Sequence, residues 1–193
     1  MKVIGLTGSI GSGKTTVLKW FEAQDIPCFE SDKEAKTLLN SSLKSAVSES
    51  FGNNLYDSNG LLNRKKLANL VFNNQKELAV LNAIVHPAVA KSFEGFKEKH
   101  FDAPIIIKEA AILFESGGNE NCDAVILVTA PKENRIQRVM ERDGSKKYEV
   151  AARIKLQWTD SKKKAMSDYL ITNVHLETAL DQAKNILRSL RSG

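Results

Sequence analysis

The stretch Gly8-Ser9-Ile10-Gly11-Ser12-Gly13-Lys14-Thr15 places three glycines ahead of a lysine and a hydroxyl residue. Glycines at this spacing let several backbone amides converge on one anion, where a Cβ would obstruct the approach. Lys14 adds a positive charge able to reach β- and γ-phosphates, and the Thr15 hydroxyl is a suitable magnesium ligand. Gly11, Ser12, Gly13, Lys14, Thr15 and Thr16 are therefore expected to hold the phosphates of a nucleotide, with magnesium. The helix expected to start near Gly13 adds the positive end of its dipole.

Other residues could complete such a site. Asp32 comes eighteen residues after Lys14, where its carboxylate could take a proton from an acceptor hydroxyl and aim the oxygen at phosphorus. Asp at that place also suits the cap of a helix from Lys33 to Leu39, and the residues alone leave both readings open. Arg135, Arg138 and Arg142 share one helical face, and guanidinium groups suit the oxygens of a phosphoryl group in flight. A solvated face is the ordinary reading of such a trio, and it is the one taken for Arg135. Asp143-Gly144-Ser145-Lys146-Lys147 reads as a hinge into a segment carrying Arg153, either a lid or a plain surface loop. Glu109 is a candidate outer-shell magnesium partner, whereas Glu115 reads as structural. His86 either donates to a substrate phosphate or hydroxyl or is a packed helix-end residue, because Pro87 is expected to interrupt or begin a helix.

These residues need elements to position them. Lys2-Val3-Ile4-Gly5-Leu6 reads as a short strand and Thr16 to Ala23 as the helix after the glycine loop. Asp25-Ile26-Pro27-Cys28-Phe29-Glu30 reads as a turn and a short second strand, and further strands are expected at Ile105 to Ile107, Ala124 to Thr129 and Tyr169 to Thr172. A closing helix from about Leu176 to Leu190 carries Leu176, Leu180, Ala183, Leu187 and Leu190 on one side. Alternating strands and helices give a parallel sheet covered on both faces, with ligands gathered at the carboxyl ends of its strands. Asn40 to His100 shows no convincing strand. Its apolar stripes, Leu43/Val47/Phe51, Leu67/Leu70/Val71 and Leu78/Leu81/Ile84/Val85, predict helices, with a loop over Gly52 to Asn63.

The chain has 193 residues, is 42% hydrophobic and carries a formal charge of +5, which fits one core with a smaller lobe and polyanionic ligands. No basic run is interleaved with aromatics, and Lys162-Lys163-Lys164 reads as a solvated face, so nucleic acid is not an expected partner. Cys28 and Cys122 lack metal-ligand spacing and suit reduced thiols in a cytoplasm. No signal stretch or membrane span is expected, and the oligomeric expectation is a monomer or weak oligomer.

The motifs together resemble the dephospho-CoA kinase family, whose members phosphorylate the ribose 3′-hydroxyl of dephospho-CoA. The likeness runs through Ile4 to Lys14, Ser31-Asp32-Lys33-Glu34-Ala35-Lys36, Gly60 to Arg64, Leu67 to Phe72 and Leu81-Asn82-Ala83-Ile84-Val85-His86-Pro87. It continues in Leu113-Phe114-Glu115, Gln137-Arg138, Arg142-Asp143, Arg153 with Gln157, and Asp168 to Asn173. The resemblance implies an α/β, three-layer P-loop NTPase fold with a five-stranded parallel sheet. One kinase domain over 1–193 would carry an inserted helical lobe for the coenzyme at about 40–100 and a lid at about 138–160. It also implies Asp32 as general base, Lys14 and Arg138 as charge stabilisers, Arg142 at the nucleotide, and Lys36 and His86 on the substrate side. Two positions depart from the pattern: Lys36 stands where arginine is expected, exchanging a bidentate grip for a point charge, and Ala111 stands where proline is common. The expected reaction is ATP + 3′-dephospho-CoA → ADP + CoA. Another P-loop kinase is the nearest rival, and a guanine-nucleotide switch is disfavoured by the lack of an Asn-Lys-x-Asp tetrapeptide.

Overall fold

The computed structural model describes residues 1–72 and 74–192. Two compact units divide it: one comprises Met1–Phe29 and His100–Gly193, the other Glu30–Lys99.

The first unit is built on a parallel sheet of five strands, β1 (Lys2–Thr7), β2 (Cys28–Glu30), β3 (Ile105–Glu109), β4 (Ala124–Thr129) and β5 (Tyr169–Thr172), in the order β2-β3-β1-β4-β5. β1 lies between β3 and β4, with Leu6 opposite Glu109 on one side and Ile126 on the other. The continuous apolar runs of β1, β3 and β4 follow from burial on both faces. On one face Ile4, Leu6, Ile105, Ile107, Ile126, Val128 and Ile171 pack against α1 (Lys14–Glu22) and α9 (Leu176–Ser192). On the other, Ala110, Leu113, Phe114 and Val125 gather with Cys122 and Trp158. Gly5 belongs to that side, because a Cβ there would meet Leu113, Cys122 and Val125. α6 (Lys132–Asp143) and α7 (Lys147–Lys155) pack through Ile136, Val139, Val150 and Ile154, with Ile10 from the glycine loop. The short α8 (Asp160–Ala165) leads to β5.

Several local expectations shift. α1 starts at Lys14, not Thr16, so the lysine and Thr15 lie in its first turn. The buried stripe of α9 is Ala179, Ala183, Ile186, Leu187 and Leu190, and Leu176 is half exposed. The small residues turn towards the sheet, letting the helix approach closely.

The second unit is helical: α2 (Ser31–Leu39), α3 (Lys44–Phe51), α4 (Arg64–Phe72) and α5 (Gln75–Lys99). Val47, Leu55, Leu62, Leu67 and Val71 form its core, with Leu43, Phe51, Leu78, Leu81 and Ile84 against it. Leu70, placed in the stripe by spacing, is 46% exposed. The Gly52 to Asn63 connection is more ordered than a plain loop. It holds a 3-10 turn at Asn53–Leu55, an isolated bridge between Tyr56 and Leu62, and an Asp57 carboxylate that accepts the Asn59 and Leu61 amides. Pro87 does not break or begin a helix, as its sequence suggested; α5 runs through it. A proline costs one main-chain bond and a steric conflict, and packing of α5 against α2, α3 and α4 outweighs that cost.

Candidate active site

The glycine loop joins the end of β1 to the start of α1. Gly11 and Gly13 have φ of 79° and 90°, which favours glycine at both. Each glycine also has a close neighbour on the side where a Cβ would stand: the Val128 carbonyl at Gly8, the Arg135 backbone at Gly11 and the Asn173 amide at Gly13. The loop is closed by the Ser12 amide donating to the Ser9 carbonyl at 3.0 Å. Its exit is held by Asn173 Nδ2 donating to the Ser12 carbonyl at 2.8 Å. The family resemblance included Asn173 in a motif without giving it a task; the task is visible only once β5 lies beside β4.

Lys14 forms an ion pair with Glu109, which ends β3, and both side chains are largely buried. The β1–β3 register brings this about, since Leu6 is opposite Glu109 and the loop begins just beyond. Thr15 and Thr16 are exposed in the first turn of α1. Arg138 belongs to the same cluster. Its Nη2 donates to the Asn173 carbonyl at 3.0 Å, and its buried Nη1, beside Gly13, has no hydrogen-bond partner among the described residues.

The other two arginines behave differently. Arg135 is only 6% exposed and faces Asp160 at 3.5 Å, which corrects the solvated reading taken from spacing. Arg142 is exposed and hydrogen-bonded through Nε to Asp143, which Arg153 also approaches. The Arg142 hydrogen bond holds the Asp143 carboxyl below the usual carboxylate range. Glu115 is structural, as expected: it accepts the Trp158 amide and pairs with Lys163. Lys163 is fully buried, so the Lys162-Lys163-Lys164 run is not wholly a solvated face.

Asp32, Lys36 and His86 belong to the helical unit. Asp32 falls in the first turn of α2, whose N-cap residue is Glu30, so the capping role is not realised. Asp32 and Lys36 are four residues apart and exposed, hence on one helix face. The Ser92 hydroxyl donates to Glu34 at 2.6 Å and fixes α2 against α5. His86 is exposed on α5.

The unit that holds the loop thus brings together a glycine cradle, a lysine, a carboxylate at a strand end and a guanidinium with an unused donor. This arrangement suits a polyphosphate. A family profile described as Dephospho-CoA kinase matches residues 2–178. A relative of that name from Salinibacter ruber is 38% identical over 177 residues, covering 90% of this chain and 89% of its own. A crystal structure of a Thermus thermophilus protein superposes with a TM-score of 0.89 at 30% identity, covering 97% of this chain and 96% of that one. The fold is also that of a Campylobacter jejuni dephospho-CoA kinase, with a TM-score of 0.65 at 24% identity over 100% and 98% of the two chains. The chain belongs to the dephospho-CoA kinase family, the transferases that phosphorylate dephospho-CoA in the last step of coenzyme A biosynthesis.

Proposed function

We propose that the glycine loop, Asp32 and Arg138 together carry transfer of the γ-phosphoryl group of ATP to the ribose 3′-hydroxyl of dephospho-CoA. The Asp32 carboxylate accepts the hydroxyl proton as the oxygen bonds to phosphorus. The bond to the β–γ bridging oxygen breaks, and ADP leaves. Gly11, Ser12, Gly13, Lys14, Thr15 and Thr16 hold the phosphates, and Lys14 and Arg138 offset the charge that develops on the transferred group. The observation that carries this reading is the Arg138 Nη1, buried beside Gly13 without a partner among the described residues, because a buried donor of that kind calls for an acceptor and a phosphate oxygen supplies one. Positioning and electrostatics account for most of the acceleration, since phosphoryl transfer asks little covalent work of the protein.

The residues present also fit magnesium. The Thr15 hydroxyl and the Glu109 carboxylate are hard oxygen donors, and magnesium bound with ATP keeps waters and phosphate oxygens for its other positions. Thr15 is assigned to its inner shell and Glu109 to its outer shell, and bound magnesium neutralises phosphate charge. Movement of Lys14 to the phosphates would release Glu109 for that role. Arg142 is assigned to the nucleotide, in a lid at about 138–160. The helical lobe, with Lys36 and His86, is assigned to the coenzyme. We place the chain in the cytoplasm as a monomer or weak oligomer without a nucleic-acid partner. No helix among the described residues is long and apolar enough to cross a membrane.

The test is ADP release with and without dephospho-CoA, against a panel of other acceptor hydroxyls. Asp32→Asn is expected to lower turnover by about 10²–10⁴-fold while ATP binding stays within about twofold. Undiminished turnover would remove Asp32 as the base, and equal turnover on unrelated acceptors would overturn the substrate.

A further inference from the structure

The segment that follows α7 grips the glycine loop at two adjacent residues, and the chemistry proposed above uses neither contact. Gln157 Oε1 accepts the Ile10 amide at 2.9 Å. Asp160 Oδ1 accepts the Ser9 hydroxyl at 2.7 Å, and Oδ2 accepts the Thr129 hydroxyl at 2.6 Å while facing Arg135 Nη2 at 3.5 Å. One carboxylate therefore collects donors from the glycine loop, the end of β4 and α6. Ser9 and Arg135 are both buried. The same part of the loop is pressed from two further directions: the Ile10 side chain packs with Ile136, Val139, Val150 and Ile154, and Gly11 lies against the Arg135 backbone.

We infer that Gln157 and Asp160 are positioning residues for the glycine loop, bracing Ser9 and Ile10 so that the following amides keep the shape that binds the β-phosphate. The inference rests on the reading of this loop as the ATP phosphate site. The Ile10 amide, committed to Gln157, is withdrawn from phosphate binding and serves as an anchor instead. A loop of three glycines has little conformational preference of its own, so its shape must come from contacts outside it. The brace also ties the carboxyl end of the 138–160 segment to the phosphates' cradle. An alteration there is transmitted to nucleotide affinity and not to the acceptor.

The experiment titrates ADP into the full-length protein by calorimetry and measures steady-state kinetics for Gln157→Leu, Ser9→Ala, Asp160→Asn and Lys14→Met. Loss of one such hydrogen bond is expected to weaken ADP binding and raise KM for ATP about three- to tenfold in both Gln157→Leu and Ser9→Ala. In those two variants kcat and KM for dephospho-CoA should stay within about twofold. Asp160→Asn should weaken ADP further, and should it fail to fold because buried Arg135 loses its counter-charge, the first two variants still decide. Unchanged ADP affinity in both, with or without a lower Tm, would overturn the inference and leave a purely structural contact. Lys14→Met separates the two levels. If it weakens ADP binding while Gln157→Leu and Ser9→Ala do not, only the brace fails; if it leaves ADP binding intact, the phosphate-site reading fails as well.

Discussion

Lys163 has no exposed surface, and its Nζ is held by the Ala111 carbonyl and by Glu115, both at 3.0 Å. Glu115 Oε1 also accepts the Trp158 amide, so the loop after β3 is joined to α8 by the buried pair and to the segment before α8 by that hydrogen bond. Such a pair brings little net stability compared with apolar residues, but removing one member leaves a buried charge uncompensated. Lys163→Met is therefore expected to cost about 3–5 kcal/mol, and adding Glu115→Gln should recover part of that loss. Urea unfolding of the two variants measures both, and a single variant as stable as the parent would show that the pair is dispensable. Neither Lys163 nor Arg135 could be told from a solvated residue by spacing, because a long cation at helical spacing looks the same in either setting. What buries it is an acid distant in sequence, Glu115 for the lysine and Asp160 for the arginine. The glycine loop was legible for the opposite reason: Gly8 to Thr15 make one compact motif, even though the residues that hold it, Glu109 and Asn173, are distant in sequence.

Among the elements, the glycine loop depends most on a single residue type. Gly13 precedes α1 with φ of 90°, and a Cβ there would meet the Asn173 amide that holds the loop's exit. Gly13→Ala is expected to cost about 1–2 kcal/mol for the left-handed backbone alone, and to displace Asn173 and with it the Arg138 guanidinium that donates to its carbonyl. ADP affinity should fall more than about tenfold, well beyond what one hydrogen bond accounts for. Thermal melts and an ADP titration check this, and retained affinity would mean that the cradle does not need this geometry. The helices were legible in kind but less so in detail. The α9 stripe keeps Ala183, Leu187 and Leu190 as expected but is completed by Ala179 and Ile186, Ala179 being a small residue that a search for large apolar side chains passes over, and Pro87 is carried inside α5 by contacts that no local rule contains.

At the scale of the molecule, the alternation of strands and helices and the helix-only stretch between β2 and β3 were both readable, because β1, β3 and β4 carry short apolar runs while the apolar residues of the insertion recur at helical spacing. The helical unit begins at Glu30, ahead of the start near 40 expected for the inserted lobe, since α2 packs on α5. The residues proposed for the acceptor were less legible than the glycine loop: Asp32, Lys36 and His86 are ordinary polar residues exposed on helices, so Asp32 and His86 each kept two readings until the family resemblance favoured one, and Lys36 took its role from that resemblance alone. The proposal assigns nucleotide to one unit and coenzyme to the other, and that division makes separate footprints. Hydrogen exchange with ADP should protect amides around Gly11 to Thr16, while dephospho-CoA alone should protect amides within Glu30–Lys99, because each ligand stabilises only the segments it orders. At about 100 times its Kd, either ligand should add about 2.7 kcal/mol to stability, enough to raise Tm by about 5–10 °C in a chain of this size. Protection by dephospho-CoA confined to the glycine loop would show that the acceptor does not use the helical unit, and would remove His86 and Lys36 from the substrate side.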